Sequence, residues 1–98
     1  MIDVSNVFKP GVTHTLSATD SSGATRTSAF SDQVTVVMLT ATDDCFIAFD
    51  GGGGPTATTS SVFITQDTPY IFGVSSGYMC AAITSTGTSS VYITELSR

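Results

Sequence analysis

Short apolar runs, interrupted by hydroxyl residues and closed by turn signals, constrain the fold of this chain more than any other feature. Serine and threonine make up about a third of the 98 residues, whereas only 11% are charged. In the last apolar run, Val91 and Ile93 lie on one side of an extended chain and Tyr92 on the other. This period of two favours β-strands and gives no apolar stripe for an amphipathic helix. We therefore expect an all-β protein.

Turn signals recur about every ten residues and define about seven or eight short strands, a spacing typical of a small antiparallel β-sandwich or jelly roll. The clearest strand is predicted at residues 33–42, which are β-branched-rich and apolar enough for both faces to be covered. Because only a short Asp43-Asp44 turn follows, we expect a hairpin with the next strand, at residues 45–49. Further strands are predicted at residues 12–18, 61–65, 68–74, 78–84 and 91–96, and residues 26–30 are a candidate for another.

The length indicates a single domain, with residues 1–11 as an N-terminal arm and residues 12–98 as the sandwich. The arm lacks periodicity but is apolar enough at its centre to dock on a partner. Glycines and a proline fill the loop after residue 50, and such loops are often contact elements. The predicted partner-contact residues are Val7, Phe8, Asp50, Gly51, Gly52, Gly53, Gly54, Pro55 and Thr56.

The acidic balance of the chain narrows the range of partners. The net charge is −5, and the basic residues are Lys9, Arg26 and Arg98. Nucleic acid and anionic membranes are poor partners for such a chain, because both bind mainly through clustered lysine and arginine. No apolar run approaches the roughly 20 residues that span a bilayer. The N-terminus has no secretory signal pattern, so we expect a protein that is made and kept inside a cell until release.

The candidate catalytic residues are few. His14 is the single histidine and is expected to be a partly buried strand residue, not a base for a cysteine nucleophile. Cys45 and Cys80 lie in apolar runs and are expected to be buried free thiols, although spacing alone leaves a disulfide open. We predict no catalytic residue, no cofactor and no enzymatic activity.

Asp43 and Asp44 are expected to cap backbone amides in their turn, and the alternative is a calcium site that includes Asp50. Their spacing matches no EF-hand loop, so we predict no metal ligand. The glycine run lacks the lysine and helix of a phosphate-binding loop. Threonine pairs do not recur at a fixed period, which favours hydroxyl-rich strand faces over an ice-binding array. The three tyrosines are expected in the core or at an interface, with sugar stacking as the alternative.

Four segments resemble small virion proteins of tailed bacteriophages. These proteins share a "DC-x-IAF" hairpin, a "P-x-ATTSS" segment, a "YFGV"-like strand and a terminal "YITEL". The corresponding segments here are residues 42–49, 55–61, 70–74 and 91–97. The chain departs from that pattern in its longer glycine loop and in Phe46, where a polar residue or histidine is common.

The resemblance implies a non-enzymatic capsid decoration or cement protein that binds the outer head surface and bridges subunits of the major capsid protein. It implies assembly in the host cytoplasm and a place in the virion. We expect self-association, with a homotrimer favoured and a dimer as the alternative. The other hypotheses are a different virion part, such as a head fibre base, collar or tail-associated protein, and a host-surface or carbohydrate-binding module.

Overall fold

The computed structural model describes residues 9–21, 23, 25–51 and 54–97. It consists of strands and their connections, and no helix occurs among these residues. The prediction of an all-β protein is confirmed. The strands are β1 (Lys9–Thr19), β2 (Val36–Ala41), β3 (Cys45–Asp50), β4 (Val62–Ile64), β5 (Tyr70–Gly73), β6 (Met79–Ile83) and β7 (Thr88–Ser97).

Two antiparallel sheets pack face to face. The four-stranded sheet has the order β1-β7-β2-β5, and the three-stranded sheet has the order β4-β3-β6. The inner faces of both sheets supply the core, in which alternate strand residues are buried. The principal core side chains are Leu16, Val37, Leu39, Ile47, Ile64, Val91 and Ile93. The sandwich prediction is therefore confirmed.

The order of pairing is that of a long hairpin wrapped into two layers. β1 pairs with β7, β2 with β5 and β3 with β4. Arg26 forms an isolated bridge to Ala81 of β6, and the Thr27 N–H donates to the Cys80 carbonyl at 2.9 Å. The segment after Arg26 thus takes the place of an eighth strand at the edge of the three-stranded sheet. This nested pairing is the connectivity of a jelly roll.

The predicted strand at residues 26–30 is only partly formed. One bridge and the hydrogen bonds from the Thr27 and Phe30 amides connect this segment to β6. A regular strand needs a continuous ladder on at least one side. Residues 26–30 therefore form an irregular edge and not a strand.

The predicted hairpin between β2 and β3 is wrong. β2 belongs to the four-stranded sheet and β3 to the three-stranded sheet, so the turn at Asp43 and Asp44 crosses between the layers. Leu39 and Ile47 are both fully buried and face the core from opposite sides. The two strands therefore meet through their side chains and not through backbone hydrogen bonds.

The prediction that both faces of β2 are covered also needs correction. Val37, Leu39 and Ala41 are buried, whereas Val36 and Met38 are half-buried on the outer face. Because β2 lies in an antiparallel sheet with one outer face uncovered, its apolar run does not mark a strand enclosed on both sides.

The first strand begins earlier than predicted. β1 starts at Lys9, three residues before the expected Val12, and its register shifts between Pro10 and Thr13. β1 lies at an edge of its sheet, where a proline is tolerated because its unpaired side needs no N–H donor. The last three residues of the predicted arm, 9–11, thus belong to the sandwich. Residues 1–8, including Val7 and Phe8, lie outside the described residues.

Candidate functional site

The predicted contact loop begins where β3 ends. Asp50 and Thr56 are exposed, Gly51 and Gly54 are half-buried, and Pro55 is buried. Gly52 and Gly53 lie outside the described residues. Of the predicted contact residues, the structure thus describes Asp50, Gly51 and residues 54–56. They lie at one end of the three-stranded sheet.

This loop is fastened to the body of the protein at two points. Arg26 Nε donates to the Pro55 carbonyl at 2.7 Å, and the Ala57 N–H donates to the Gly23 carbonyl at 2.8 Å. Gly54 has a φ of +97°, which glycine adopts without the strain of a Cβ. A Cβ at Gly54 would also lie 2.7 Å from Arg26 Cδ. Residues 54–57 are therefore held in one position beside the segment that borders β6.

An aromatic pair lies on the outer face of the three-stranded sheet. Phe46 of β3 and Phe63 of β4 are directly paired in register, and their ring centroids are 5.2 Å apart. Phe63 is 50% exposed. Ile83 of β6 is paired with Phe46 on the other side. We call Phe46, Phe63 and Ile83 the aromatic patch; it offers apolar area to a partner.

The four-stranded sheet also has an outer face, which we call the hydroxyl face. Among the described residues, this face carries no charged side chain. Its apolar part belongs mainly to β2, β5 and the C-terminal half of β7. Its hydroxyl part belongs mainly to β1 and β7, where the Thr13 and Thr94 hydroxyls are 3.0 Å apart. The apolar members are Val36, Met38, Ile71, Tyr92 and Leu96.

A groove of about 450 Å³ opens at the end of the hydroxyl face. Val36 and Leu96, two apolar members of that face, line it together with Asp32 and Val34. The groove therefore extends the apolar surface toward the start of β2.

A buried pair of hydrogen-bonded side chains lies inside the sandwich between β1 and β7. His14 Nε2 donates to Glu95 Oε2 at 2.7 Å, and the Ser31 N–H donates to the same oxygen at 3.1 Å. Burial raises the pKa of Glu95, but the hydrogen bonds from His14 and Ser31 outweigh it and hold this pKa below its ordinary value. The ring of Phe30 covers the imidazole edge at a centroid distance of 5.3 Å. His14 is thus a partly buried strand residue, as predicted, and its ring hydrogen-bonds to a buried carboxylate.

Cys45 and Cys80 are both buried and both free. Cys80 is paired with Phe49, which lies four residues along β3 from Cys45. Four residues of strand separate the two Cα atoms by about 13 Å, whereas a disulfide needs less than about 7 Å. Burial raises the pKa of both thiols, that of Cys80 to about 12. The open alternative of a disulfide is therefore excluded, and neither thiol has the lowered pKa of a nucleophile.

The aspartates of the turn between β2 and β3 accept backbone hydrogen bonds. Asp44 Oδ1 accepts from the Gln66 N–H at 2.8 Å, and Asp43 Oδ1 accepts from the Asp44 N–H at 3.0 Å. Asp50 lies at the opposite end of β3, about 20 Å away at 3.3 Å per residue. The three aspartates therefore do not converge on one calcium ion. Within the part of the chain that the structure describes, no cluster of three metal-ligating side chains occurs.

The tyrosines divide between the core and the surface. Tyr70 and Tyr78 pack against the core, whereas Tyr92 is 42% exposed on the hydroxyl face. Among the described residues, no helix is long and apolar enough to cross a lipid bilayer.

Comparison of the chain with models of protein families, with curated proteins and with solved structures finds no match.

Proposed function

We propose that this protein is a non-enzymatic decoration or cement protein of a bacteriophage head, which binds the outer surface of the shell and bridges subunits of the major capsid protein. The aromatic patch is the observation that carries the proposal. It combines exposed apolar area with a fixed position in the sheet, and protein–protein contacts are built on such anchors. The resemblance of four segments to phage virion proteins supports the same conclusion.

The surroundings of the aromatic patch suit a protein partner. Phe63 projects from β4, and Ile83 extends the patch across the sheet to β6. The patch itself is uncharged, whereas the chain as a whole has a net charge of −5. Apolar contact can therefore supply the affinity, and the negative net charge of the chain favours a basic rim on the partner.

The loop at residues 54–57 is the second contact element of the proposal. Its two hydrogen bonds, to Arg26 and Gly23, fix its position before binding, so that little conformational entropy is lost on contact. Thr56 is exposed between the buried residues Pro55 and Ala57.

The arm at residues 1–8 remains a predicted contact, and a deletion that ends at Phe8 leaves β1 whole.

The experiment is sedimentation of purified protein with heads of the encoding phage. We expect saturable binding, and we expect Phe63→Asp to weaken it at least tenfold, as the loss of an interface anchor does. Val12→Asp is the matched control, because Val12 is 54% exposed on β1 in the other sheet. Both variants should keep the melting temperature within a few degrees.

Binding that is unchanged by Phe63→Asp but lost with Val12→Asp would contradict the aromatic patch, and absence of binding to heads would contradict the role itself. Electron microscopy of labelled particles separates a head-surface location from a fibre base, collar or tail location.

A carbohydrate-binding module is the second candidate, and the exposure of Tyr92 beside serine and threonine hydroxyls favours it. Saturable glycan binding that is lost in Tyr92→Ala would support this candidate against the first.

A further inference from the structure

We propose that two copies of this chain associate face to face through the hydroxyl face, around a two-fold axis that crosses the strands near Met38 and Ile71. The aromatic patch lies on the opposite side of the sandwich. The proposal therefore does not rest on the proposed function, and it concerns the purified protein alone.

The distribution of charge favours a second copy of this chain as the partner that binds the hydroxyl face. The described aspartates lie in turns and at strand ends, and the one glutamate points into the core. An acidic chain can therefore bring this face against itself without placing like charges opposite one another. A strongly charged partner would find no opposite charge on the face.

The register defines three successive rows across the face. The middle row contains Thr94, Met38 and Ile71, because Met38 pairs with both of the others. Leu96 and Val36 form the row on one side, and Tyr92 and Thr40 form the row on the other.

A two-fold axis along the middle row places the apolar part of one copy over the apolar part of the other. β5 then lies over β5 of the second copy, and Met38 and Ile71 each approach their own counterparts. Tyr92 of each copy meets Leu96 and Val36 of the other, so that its ring, 42% exposed in one copy, becomes covered. Such self-complementarity is what a two-fold interface requires.

The size of the face matches a weak dimer. Its four strands contain 11, 10, 6 and 4 residues. At about 3.3 Å per residue and about 4.8 Å between strands, the two copies together would cover about 1,000 Å², near the lower limit for a specific interface. Ile71, 60% exposed on the edge strand β5, supplies exposed apolar area on the proposed axis. We expect a dissociation constant on the order of micromolar.

Sedimentation velocity over a concentration series tests the association. We expect a monomer–dimer equilibrium in the native chain, and we expect Ile71→Lys to raise the dissociation constant at least tenfold. Phe63→Lys is the matched control, because it places the same charge at an exposed apolar position on the opposite face and should leave the equilibrium unchanged.

Cysteine cross-linking tests the position of the axis. A cysteine in Met38→Cys would lie opposite its counterpart across the roughly 10 Å between packed sheets, whereas the native thiols are buried. We expect a short bismaleimide cross-linker to produce a covalent dimer from Met38→Cys and none from Phe63→Cys. A native chain that stays monomeric to about millimolar concentration would overturn the proposal. So would a trimer, since face-to-face contact closes at two copies, or cross-linking of Phe63→Cys instead of Met38→Cys.

Discussion

Gly23 and Ala57 are in direct backbone contact, although 34 positions separate them in the sequence. The Ala57 N–H donates to the Gly23 carbonyl at 2.8 Å, and a Cβ on Gly23 would overlap the Ala57 carbonyl oxygen. Gly23 is needed here for close approach and not for an unusual φ. This contact fixes the segment before β2 to the contact loop.

Gly23→Ala is expected to destabilise the protein by about 2 kcal/mol or more, because backbone on both sides must move to admit the methyl group. Urea unfolding followed by circular dichroism measures the change. Gly73→Ala is the control, since a Cβ there lies 3.9 Å from its nearest neighbour, and it should change stability by less than about 0.5 kcal/mol. Equal effects of the two substitutions would contradict the close contact.

Arg26→Met is expected to loosen the contact loop without unfolding the sandwich, because it removes the hydrogen bond to Pro55 and keeps the aliphatic stem. Hydrogen exchange at the Ala57 amide should become faster by at least about tenfold, as local opening becomes easier. Amides in β7 should exchange as in the native chain. Lys9→Met is the control, because it removes a different positive charge. It should leave the hydrogen exchange rate of the Ala57 amide unchanged.

Glu95→Gln is expected to lower the free energy of unfolding near neutral pH by about 1.5–3 kcal/mol, the range for a hydrogen bond to a charged group. The pKa of Glu95 lies below its ordinary value of 4.5 in the folded protein, so the unfolded state takes up the proton first as pH falls. The contribution of Glu95 is thus complete above about pH 4.5 and is lost as pH falls through the lowered folded-state pKa.

Urea unfolding at a series of pH values from 7 to about 2 measures this dependence. The difference in stability between the native chain and Glu95→Gln should shrink as the solution becomes acidic. Asp67→Asn, which removes an exposed carboxylate, controls for general charge effects. A difference that stays constant over the whole range would show that the carboxylate charge of Glu95 contributes nothing.

Cys45 and Cys80 are expected to react with a thiol reagent at least about 100-fold more slowly in the folded protein than in denaturant, because burial raises both pKa values and blocks access. Titration in denaturant without a reductant should find two free thiols. One or no thiol would mean that the cysteines form a disulfide after a rearrangement of the sheet.

The sequence predicted the faces of the strands better than it predicted their layers. Alternation at Val91, Tyr92 and Ile93 correctly separates buried from exposed positions. The apolar runs of β2 and β3 predict two strands, but they do not tell whether the two strands share a sheet or face each other across the core. The layer change at Asp43 therefore could not be read from the periodicity.

The phase of two residues in the sequence marks the buried contact between His14 and Glu95. Glu95 has the same phase as Val91 and Ile93, and His14 has the same phase as Leu16 and Ala18. A carboxylate in a buried phase requires a partner, and the single histidine is the natural one. The aromatic patch, in contrast, depends on the register between β3 and β4, which one sequence does not define.

The pairing of β1 with β7 has a consequence for how the chain reaches its fold. His14 and Glu95 are 81 positions apart, so the ribosome must add about that many residues after β1 begins before this strand can find its neighbour. Until then both edges of β1 are unpaired, and the strand can pair with other nascent chains. Such non-local closure is slow, on the order of milliseconds to seconds. Synthesis at high levels should therefore favour exchange of β1 between chains before the sandwich closes.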